Sequence, residues 1–163
     1  MNITKYKDLT TSHLNLTETK NWLRVDVNVD DTLISGLIYQ ARDIIENFLG
    51  LCLDETEITA VTYNTYSFEL PYQPVTELIS VKTWSGQTDL TYSFDQMYVS
   101  IEESYGDSLE VRWKAGYTNL PQGLKSAWLQ TIAYLYEHRG DEGIEKFLLT
   151  NYNLNTFRKT IIL

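Results

Sequence analysis

The segment from Asp30 to Gly50, DDTLISGLIYQARDIIENFLG, constrains the fold more than any other part of the sequence. Its apolar side chains recur at the three- and four-residue spacing that stacks them on one face of a helix. They are Leu33, Ile34, Leu37, Ile38, Ala41, Ile44, Ile45, Phe48 and Leu49, and the opposite face carries Gln40, Arg42, Asp43, Glu46 and Asn47. Asp30 or Asp31 can cap the first turn, and Gly50 suits a left-handed C-terminal cap. The segment is predicted to be an amphipathic helix whose apolar face must be covered.

Further helices are predicted at both ends of the chain. Pro121 suits the first turn of a helix that ends at Gly140, with a second apolar stripe that can cover the first. A shorter helix, ETKNWLRV, follows a candidate N-cap at Thr17, and GIEKFLLTNY is a possible short helix near the C-terminus. Residues 1–15 are polar and aperiodic, so we expect them to order only when a partner holds them.

Between the helices, the hydrophobic period changes from 3.6 toward 2, and Thr, Tyr and Val become frequent. Five strands are predicted: EITAVTYNTYSFEL, Val75 to Trp84, Leu90 to Phe94, Tyr98 to Ile101, and SLEVRWKAGY. The last strand alternates most cleanly, which predicts one packed and one solvated face. The fold class is therefore α+β, a small helical bundle from the N- and C-terminal segments with an inserted antiparallel β-meander or hairpin region.

The length of 163 residues fits one domain. Within it we place helices at about 17–50 and 121–139, the β insertion at about 55–117 and a tail at 141–163. The formal net charge of -9 argues against a protein that grips nucleic acid, since that affinity comes mainly from Lys and Arg on phosphates. The N-terminus lacks a signal-peptide core and no apolar run could span a membrane, so we expect a soluble, unprocessed protein.

The nearest approach to a metal site is Asp26, Asn28 and Asp30, which match the first three ligands of a calcium loop. The match then fails, because Asp31 stands where the sharp turn needs Gly and Leu37 stands where a bidentate Glu is needed. A solvated loop that ends in an N-cap is the preferred interpretation. The single Cys52 is interpreted as a buried thiol, since it cannot form an internal disulfide.

No catalytic pattern emerges from the remaining polar residues. His138 lies among charged residues at a predicted helix end, where the helix dipole favours a cation. Glu102 and Glu103 are adjacent, and neighbouring strand residues point to opposite faces, which opposes a shared acid and base site. We therefore predict no enzyme activity, cofactor or metal. A small hydrolase and a carbohydrate- or receptor-binding module lined by strand aromatics stay open as alternatives.

Taken in order, several short motifs resemble the head-tail connector (adaptor) family of tailed bacteriophages. They are Leu16-Thr17, Leu23 to Asp26, Asp30-Asp31, Ala41-Arg42, Ile45-Glu46, Leu70-Pro71, Pro74-Val75, Ser80-Val81, Val111, Ala115 to Tyr117, Pro121, Leu124-Lys125 and Ala127. The resemblance covers about residues 16–140. The Leu-Leu-x-x-Tyr-Arg style ending of the family is approximated by Leu148-Leu149 with Tyr152 and a displaced Arg158.

The resemblance implies a non-enzymatic protein of the virion at the head-tail interface, assembled in the host bacterial cytoplasm. It implies a homo-oligomeric ring, typically a dodecamer, that binds the portal protein and a downstream neck or tail protein. Genomic DNA would pass through the ring without sequence-specific binding, and no membrane is involved. A lumen lined by carboxylates would let DNA slide without sticking. Another ring-forming neck or tail-completion protein is the main alternative.

The C-terminal tail is the candidate partner-binding segment. Its candidate residues are Tyr152, Phe157, Arg158, Ile161, Ile162 and Leu163. An apolar chain end suggests an intersubunit contact, because termini are commonly polar and mobile. Deleting residues 150–163 is expected to abolish portal binding and leave the fold intact. The wide stripe of the long helix suggests a second contact, so a charge at Ile34 or Tyr39 should separate core from subunit interface.

Overall fold

The computed structural model describes residues 1–9, 12–63, 66–102, 106–138 and 143–158. The chain forms two compact units, neither of which is a continuous stretch of sequence. The β unit comprises Met1–Thr11 and Gly50–Thr118, and the helical unit comprises Ser12–Leu49 and Asn119–Leu163. The predicted α+β fold class is confirmed, with helices from the N- and C-terminal segments and, among the described residues, six antiparallel strands between them; one more strand precedes the first helix.

Five helices and seven strands are described. The helices are α1 Leu16–Leu23, α2 Asp31–Leu49, α3 Gln122–Glu137, α4 Ile144–Thr150 and α5 Tyr152–Phe157. The strands are β1 Asn2–Asp8, β2 Thr56–Thr62, β3 Ser67–Glu69, β4 Val75–Thr83, β5 Tyr92–Asp95, β6 Tyr98–Ile101 and β7 Leu109–Ala115. One sheet has the order β1-β2-β7-β4 and the other the order β3-β6-β5, and all pairs are antiparallel.

The core of the helical unit lies between α2 and α3, as the two apolar stripes predict. Ile34, Ala41 and Ile45 of α2 are fully buried. The indole N–H of Trp128 on α3 donates to the carbonyl oxygen of Ile38 at 3.0 Å, and Trp128 is itself fully buried. This hydrogen bond fixes the position of α3 along α2, because the buried indole N–H cannot donate to water instead.

The prediction that Arg42 and Glu46 lie on an exposed polar face of α2 is wrong. Arg42 is 9% exposed and Glu46 is 4% exposed. Both continue the i, i+4 row that begins with Ile34 and Ile38, and α1, α3 and α5 all contact α2. Because three helices cover α2, its buried face is wider than the apolar stripe. The Arg42 guanidinium carbon lies 5.5 Å from the centroid of the exposed Tyr39 ring.

The start and end of α1 also differ from the prediction. Asn15, not Thr17, is the N-cap, because its side-chain oxygen accepts from the backbone N–H of Glu18 at 2.9 Å. The helix ends at Leu23, and Arg24 takes the left-handed conformation with φ 57°. Val25 therefore lies outside the helix. Thr17 sits inside the first turn, where the cap hydrogen bond is already made.

The central strand of the larger sheet is β7, which lies between β2 and β4. The predicted alternation is confirmed, since Leu109, Val111, Trp113 and Ala115 are buried. On the other face, Arg112 pairs with Glu57 of β2 and Lys114 pairs with Glu77 of β4 at 2.6 Å. Gly116 follows with φ 110°, and a Cβ there would lie 2.1 Å from the Asp54 carbonyl oxygen, so this close approach requires glycine.

Two strand predictions need correction. The long first strand is divided into β2 and β3, which belong to different sheets, because β2 pairs with β7 whereas β3 pairs with β6. The N-terminal segment is ordered within this chain, since residues Asn2–Asp8 form β1 along β2. Its order comes from non-local backbone pairing, which needs no hydrophobic pattern in the strand itself.

Candidate functional site

Residues 144–157 of the C-terminal segment, which is the predicted partner-binding segment, form α4 and α5 within the helical unit. Leu148 of α4 and Leu154 of α5 are buried, and α5 contacts both α2 and α3. Asn151 joins the two short helices, where its side-chain oxygen accepts from the N–H of Leu154 at 3.2 Å. Its side-chain amide donates to Gln130 of α3 at 2.9 Å. Deleting residues 150–163 would therefore remove core groups, contrary to the expectation that the fold survives.

The structure separates the candidate tail residues into different environments. Tyr152 is 80% exposed at the start of α5. Phe157 is half-buried, and its ring lies over Gly123, where an added Cβ would be 3.1 Å from Phe157 Cε2. The guanidinium carbon of Arg158 lies 5.3 Å from the ring centroid of Phe48 on α2. Ile161, Ile162 and Leu163 fall outside the described residues. Of the described candidates, Tyr152 and Arg158 are the two with exposed side chains.

A groove between α1 and α3 is a second candidate surface, which no sequence motif marks. It encloses about 480 Å³ and is lined in part by Trp22, Leu129 and Lys125. Trp22 is 49% exposed, and Lys125 Nζ lies 2.8 Å from a carboxylate oxygen of Glu18. The sequence does not identify this groove, because Trp22 in a short helix is as consistent with packing in the core as with a place on an exposed surface.

One end of the larger sheet presents aromatic side chains. Tyr63 and Trp84 directly follow Thr62 and Thr83, which are the two strand partners of Leu109. Both aromatics are exposed. Trp84 begins a turn that Asp107 holds, since an Asp107 carboxylate oxygen accepts from the backbone N–H of Ser85 at 2.9 Å. The side-chain and backbone hydrogen bonds from Ser85 lower the pKa of Asp107 below its ordinary value.

The loop that resembles a partial calcium site is tied down by other contacts. Lys20 Nζ donates to Asn28 Oδ1 at 2.9 Å and to Asp31 Oδ1 at 2.6 Å. The hydroxyl of Tyr136 donates to Asp30 Oδ2 at 2.6 Å. In the described parts of the chain, no group of three or more His, Cys, Asp or Glu is placed to hold a metal ion. These contacts give the loop carboxylates a role in joining α1, α2 and α3.

His138 is engaged at the end of α3. Its ring stacks on Tyr134 with 4.4 Å between centroids, and Nδ1 lies 3.1 Å from the Tyr134 carbonyl oxygen. Tyr134 in turn stacks on Phe147 of α4 at 4.6 Å. This stack joins α3 to α4.

Within the described ranges, no helix is both long and apolar enough to cross a membrane.

The acidic charge is concentrated in one unit. The β unit contains 12 acidic and 5 basic residues, a formal charge of -7, whereas the helical unit contains 10 acidic and 8 basic residues, a formal charge of -2. The basic side chains Arg112 and Lys114 of the β unit are paired with carboxylates. Neighbouring carboxylates raise the pKa of Lys114, with Glu77 the largest cause. The β unit is therefore a poor surface for nucleic-acid phosphates.

Comparison with known proteins gives one family and several similar folds. The family described as phage gp6-like head-tail connector protein matches residues 13–105. A chain in the neck of a native GTA particle, computed with C12 symmetry, aligns with a TM-score of 0.77 and 16% identity. Chains from the neck of an empty GTA particle computed with C6 symmetry, and from the virion of a native gene transfer agent particle, each give 0.74, with 17% and 18% identity. Each alignment covers 98% of both chains. None of the curated proteins matches.

Proposed function

The chain belongs to the phage gp6-like head-tail connector protein family, and we propose that it forms a ring that joins the portal to the tail or to the next connector component. The family resemblance inferred from the sequence motifs is confirmed, and the chain is a structural protein of the virion neck. The proposed role is non-enzymatic. The observation that carries it is the family match over residues 13–105, which runs through both the helical unit and the β unit.

The proposed assembly is a closed homo-oligomer, with twelve copies as the expected number. The similar folds in necks computed with C12 and with C6 symmetry support a closed ring, and the family resemblance suggests twelve copies. A closed ring needs a heterologous interface, in which two different surfaces of the subunit meet. Twelve copies of this 18.9 kDa chain would weigh about 230 kDa. Mass measurement of the purified protein mixed with its portal tests the proposal directly. A mass increase of one ring per portal is expected, and a portal whose mass is unchanged would refute it.

We also propose that the two units act as a single connector domain covering residues 1–163. The chain passes between them three times, after Thr11, Leu49 and Thr118, which supports this view. A fragment that contains one unit would have to join two separate stretches of chain. Expression of residues 50–118 alone should therefore give a less stable product than the full chain, because β1 and its pairing with β2 would be missing.

Genomic DNA is proposed to pass through the ring without being gripped. The excess of carboxylates in the β unit supports a lumen lined by this unit, where negative charge repels phosphate and lets the duplex slide. A map of the assembled ring should place β-unit carboxylates at the channel wall. A lumen lined mainly by Lys and Arg would contradict this part of the proposal.

The C-terminal segment is proposed to bind the portal through Tyr152 and the residues that follow Arg158. The exposure of Tyr152 supports this role. Because Leu154 is fully buried, the informative changes are Tyr152→Ala and removal of residues 159–163, rather than deletion from residue 150. Asn153→Ala, next to Tyr152 on the same short helix, is the matched control. Loss of portal co-purification with an unchanged circular dichroism spectrum is expected for the first two variants, and normal co-purification of both would refute the assignment.

A further inference from the structure

The first strand, β1, is one of the two edge strands of its sheet, and among the strands that the structure describes it pairs with β2 alone. It differs from the other edge strand, β4, which buries the side chains of Val81 and Thr83. Every β1 side chain whose burial is described is exposed, including Ile3 and Tyr6. The Tyr6 hydroxyl lies 3.3 Å from the sulfur of Cys52, and its ring meets Tyr72 edge-on at 6.4 Å. Backbone pairing, rather than burial of apolar side chains, therefore holds β1.

The edge of β2 along which β1 lies, residues Thr56 to Val61, is called the seat of β1, and it belongs to the core of the sheet. Ile58 and Ala60 of β2 are fully buried. The register runs without interruption from Lys5 to Asp8, and the N–H of Leu9 extends it by donating to the carbonyl of Glu55 at 2.8 Å. An empty seat would leave the backbone groups along this edge of β2 without partners. The seat is filled by backbone pairing with a strand in this register, and nothing in it requires that strand to come from the same chain.

No tight turn ties β1 to its own β2. Asp8 pairs with Thr56, and the residues from 9 to 55 that lie between them include α1 and α2 of the helical unit. A hairpin loop of about two to five residues would force two strands of one chain together. A connection that contains two helices makes no such choice between the seat in its own sheet and the identical seat on a neighbouring copy.

We propose that β1 is exchanged in the assembled ring, so that β1 of each copy pairs with β2 of the next copy. This inference rests on the proposed ring. Exchange retains the observed ladder, because the same residues pair, and a closed ring lets every copy both give and receive a strand. Neighbouring copies hold the seat at high effective concentration. The contacts of Tyr6 with Cys52 and Tyr72 would be retained as well, because the neighbouring copy offers the same residues beside its β2.

A cross-strand disulfide distinguishes exchange from pairing within one chain. Lys7 and Glu57 are partners in the register, so Lys7→Cys with Glu57→Cys links β1 to whichever β2 it occupies. The Cα atoms of such partners are about 4.5 to 5.5 Å apart, which a disulfide can span. Cys52→Ala removes the native thiol. The matched control is Glu57→Cys with Lys114→Cys, which shares the change at Glu57 and links β2 to β7 of one chain.

Rings are assembled on the portal under reducing conditions, then oxidised and separated on a denaturing gel without reductant. Exchange predicts dimers and longer ladders of linked subunits for the test variant, at least tenfold more abundant than in the control. Fully oxidised test protein that runs as a monomer would overturn the proposal. Free thiols in the test variant beside an oxidised control would also overturn it, since β1 would then not lie on β2.

The state of the ring is measured independently, by mass before oxidation. Rings that yield monomers alone refute exchange and leave the proposed function standing. Failure of the wild-type protein to form any ring on the portal refutes the proposed function and exchange together. A second readout uses the isolated subunit, in which the test disulfide is closed before mixing. Exchange predicts at least a tenfold loss of ring assembly that reductant restores, and normal assembly of the closed subunit would contradict it.

Discussion

Two buried tryptophans should respond differently to the same substitution. Trp128 and Trp113 are both fully buried, but the indole N–H of Trp128 donates to the Ile38 carbonyl, whereas that of Trp113 has no acceptor among the described residues. Replacement by Phe removes roughly two methylene equivalents of buried surface at either site, about 1.5 kcal/mol. Trp128→Phe also loses a hydrogen bond worth about 1 kcal/mol. Trp113→Phe removes an unpaired donor whose burial costs about 1 to 3 kcal/mol.

The expected losses of unfolding free energy are therefore about 2 to 3 kcal/mol for Trp128→Phe and close to zero for Trp113→Phe. With a urea dependence of about 2 kcal/mol/M, the midpoint for Trp128→Phe should fall by about 1 to 1.5 M. Unfolding is followed by far-ultraviolet circular dichroism, which avoids the fluorescence of the altered residue. Trp22→Phe, at a half-exposed tryptophan, is the control and should stay within about 0.5 kcal/mol of the wild type. Equal losses at Trp128 and Trp113 would refute the reasoning from the hydrogen bond.

Ile34→Asp should prevent folding, because Ile34 is fully buried. Tyr39 is 54% exposed, so Tyr39→Asp should leave the circular dichroism spectrum unchanged. Loss of rings in a folded Tyr39→Asp variant would place Tyr39 at the subunit interface. Gly116→Ala should lower the free energy of unfolding by at least about 2 kcal/mol in urea, because the added Cβ would clash with a backbone carbonyl. Gly36→Ala, at an open helix position, is the control and should raise the free energy of unfolding by about 0.5 to 1 kcal/mol. An unchanged stability of Gly116→Ala would contradict the close approach. Because the pKa of Asp107 is lowered in the folded protein, its carboxylate stabilises the fold above the ordinary pKa, and this stabilisation is lost as pH falls through the folded pKa. The stability difference between wild type and Asp107→Asn should therefore shrink at acidic pH. A difference that grows at acidic pH would contradict this role of Asp107.

The sequence predicts the elements whose pattern is local and strong. The apolar stripe of α2, the Pro-started α3 and the alternation in β7 each identify an element, since one buried face dictates a regular spacing. The first strand could not be found in this way. Its described side chains are all exposed, so its sequence lacks the alternation of apolar and polar residues that a half-buried strand shows. Its partner β2 also lies far along the sequence.

The candidate partner residues show a second limit of sequence reasoning. The sequence predicts the tail as one partner-binding segment, but the structure buries Leu154, places Phe157 over Gly123 and leaves Tyr152 exposed. Three-dimensional packing separates these roles, and no spacing in the tail encodes it. Burial of Arg42 and Glu46 has the same origin, since a helix covered from several sides loses the simple division into apolar and polar faces.

The central claim, that this chain forms the connector ring at the head-tail interface, is tested most directly by electron microscopy of the neck in the native particle. We expect a single closed ring of this fold in contact with the portal, with density for both the helical unit and the β unit in every copy. Particles in which the neck lacks a ring of this fold, or in which the chain lies away from the portal, would contradict it.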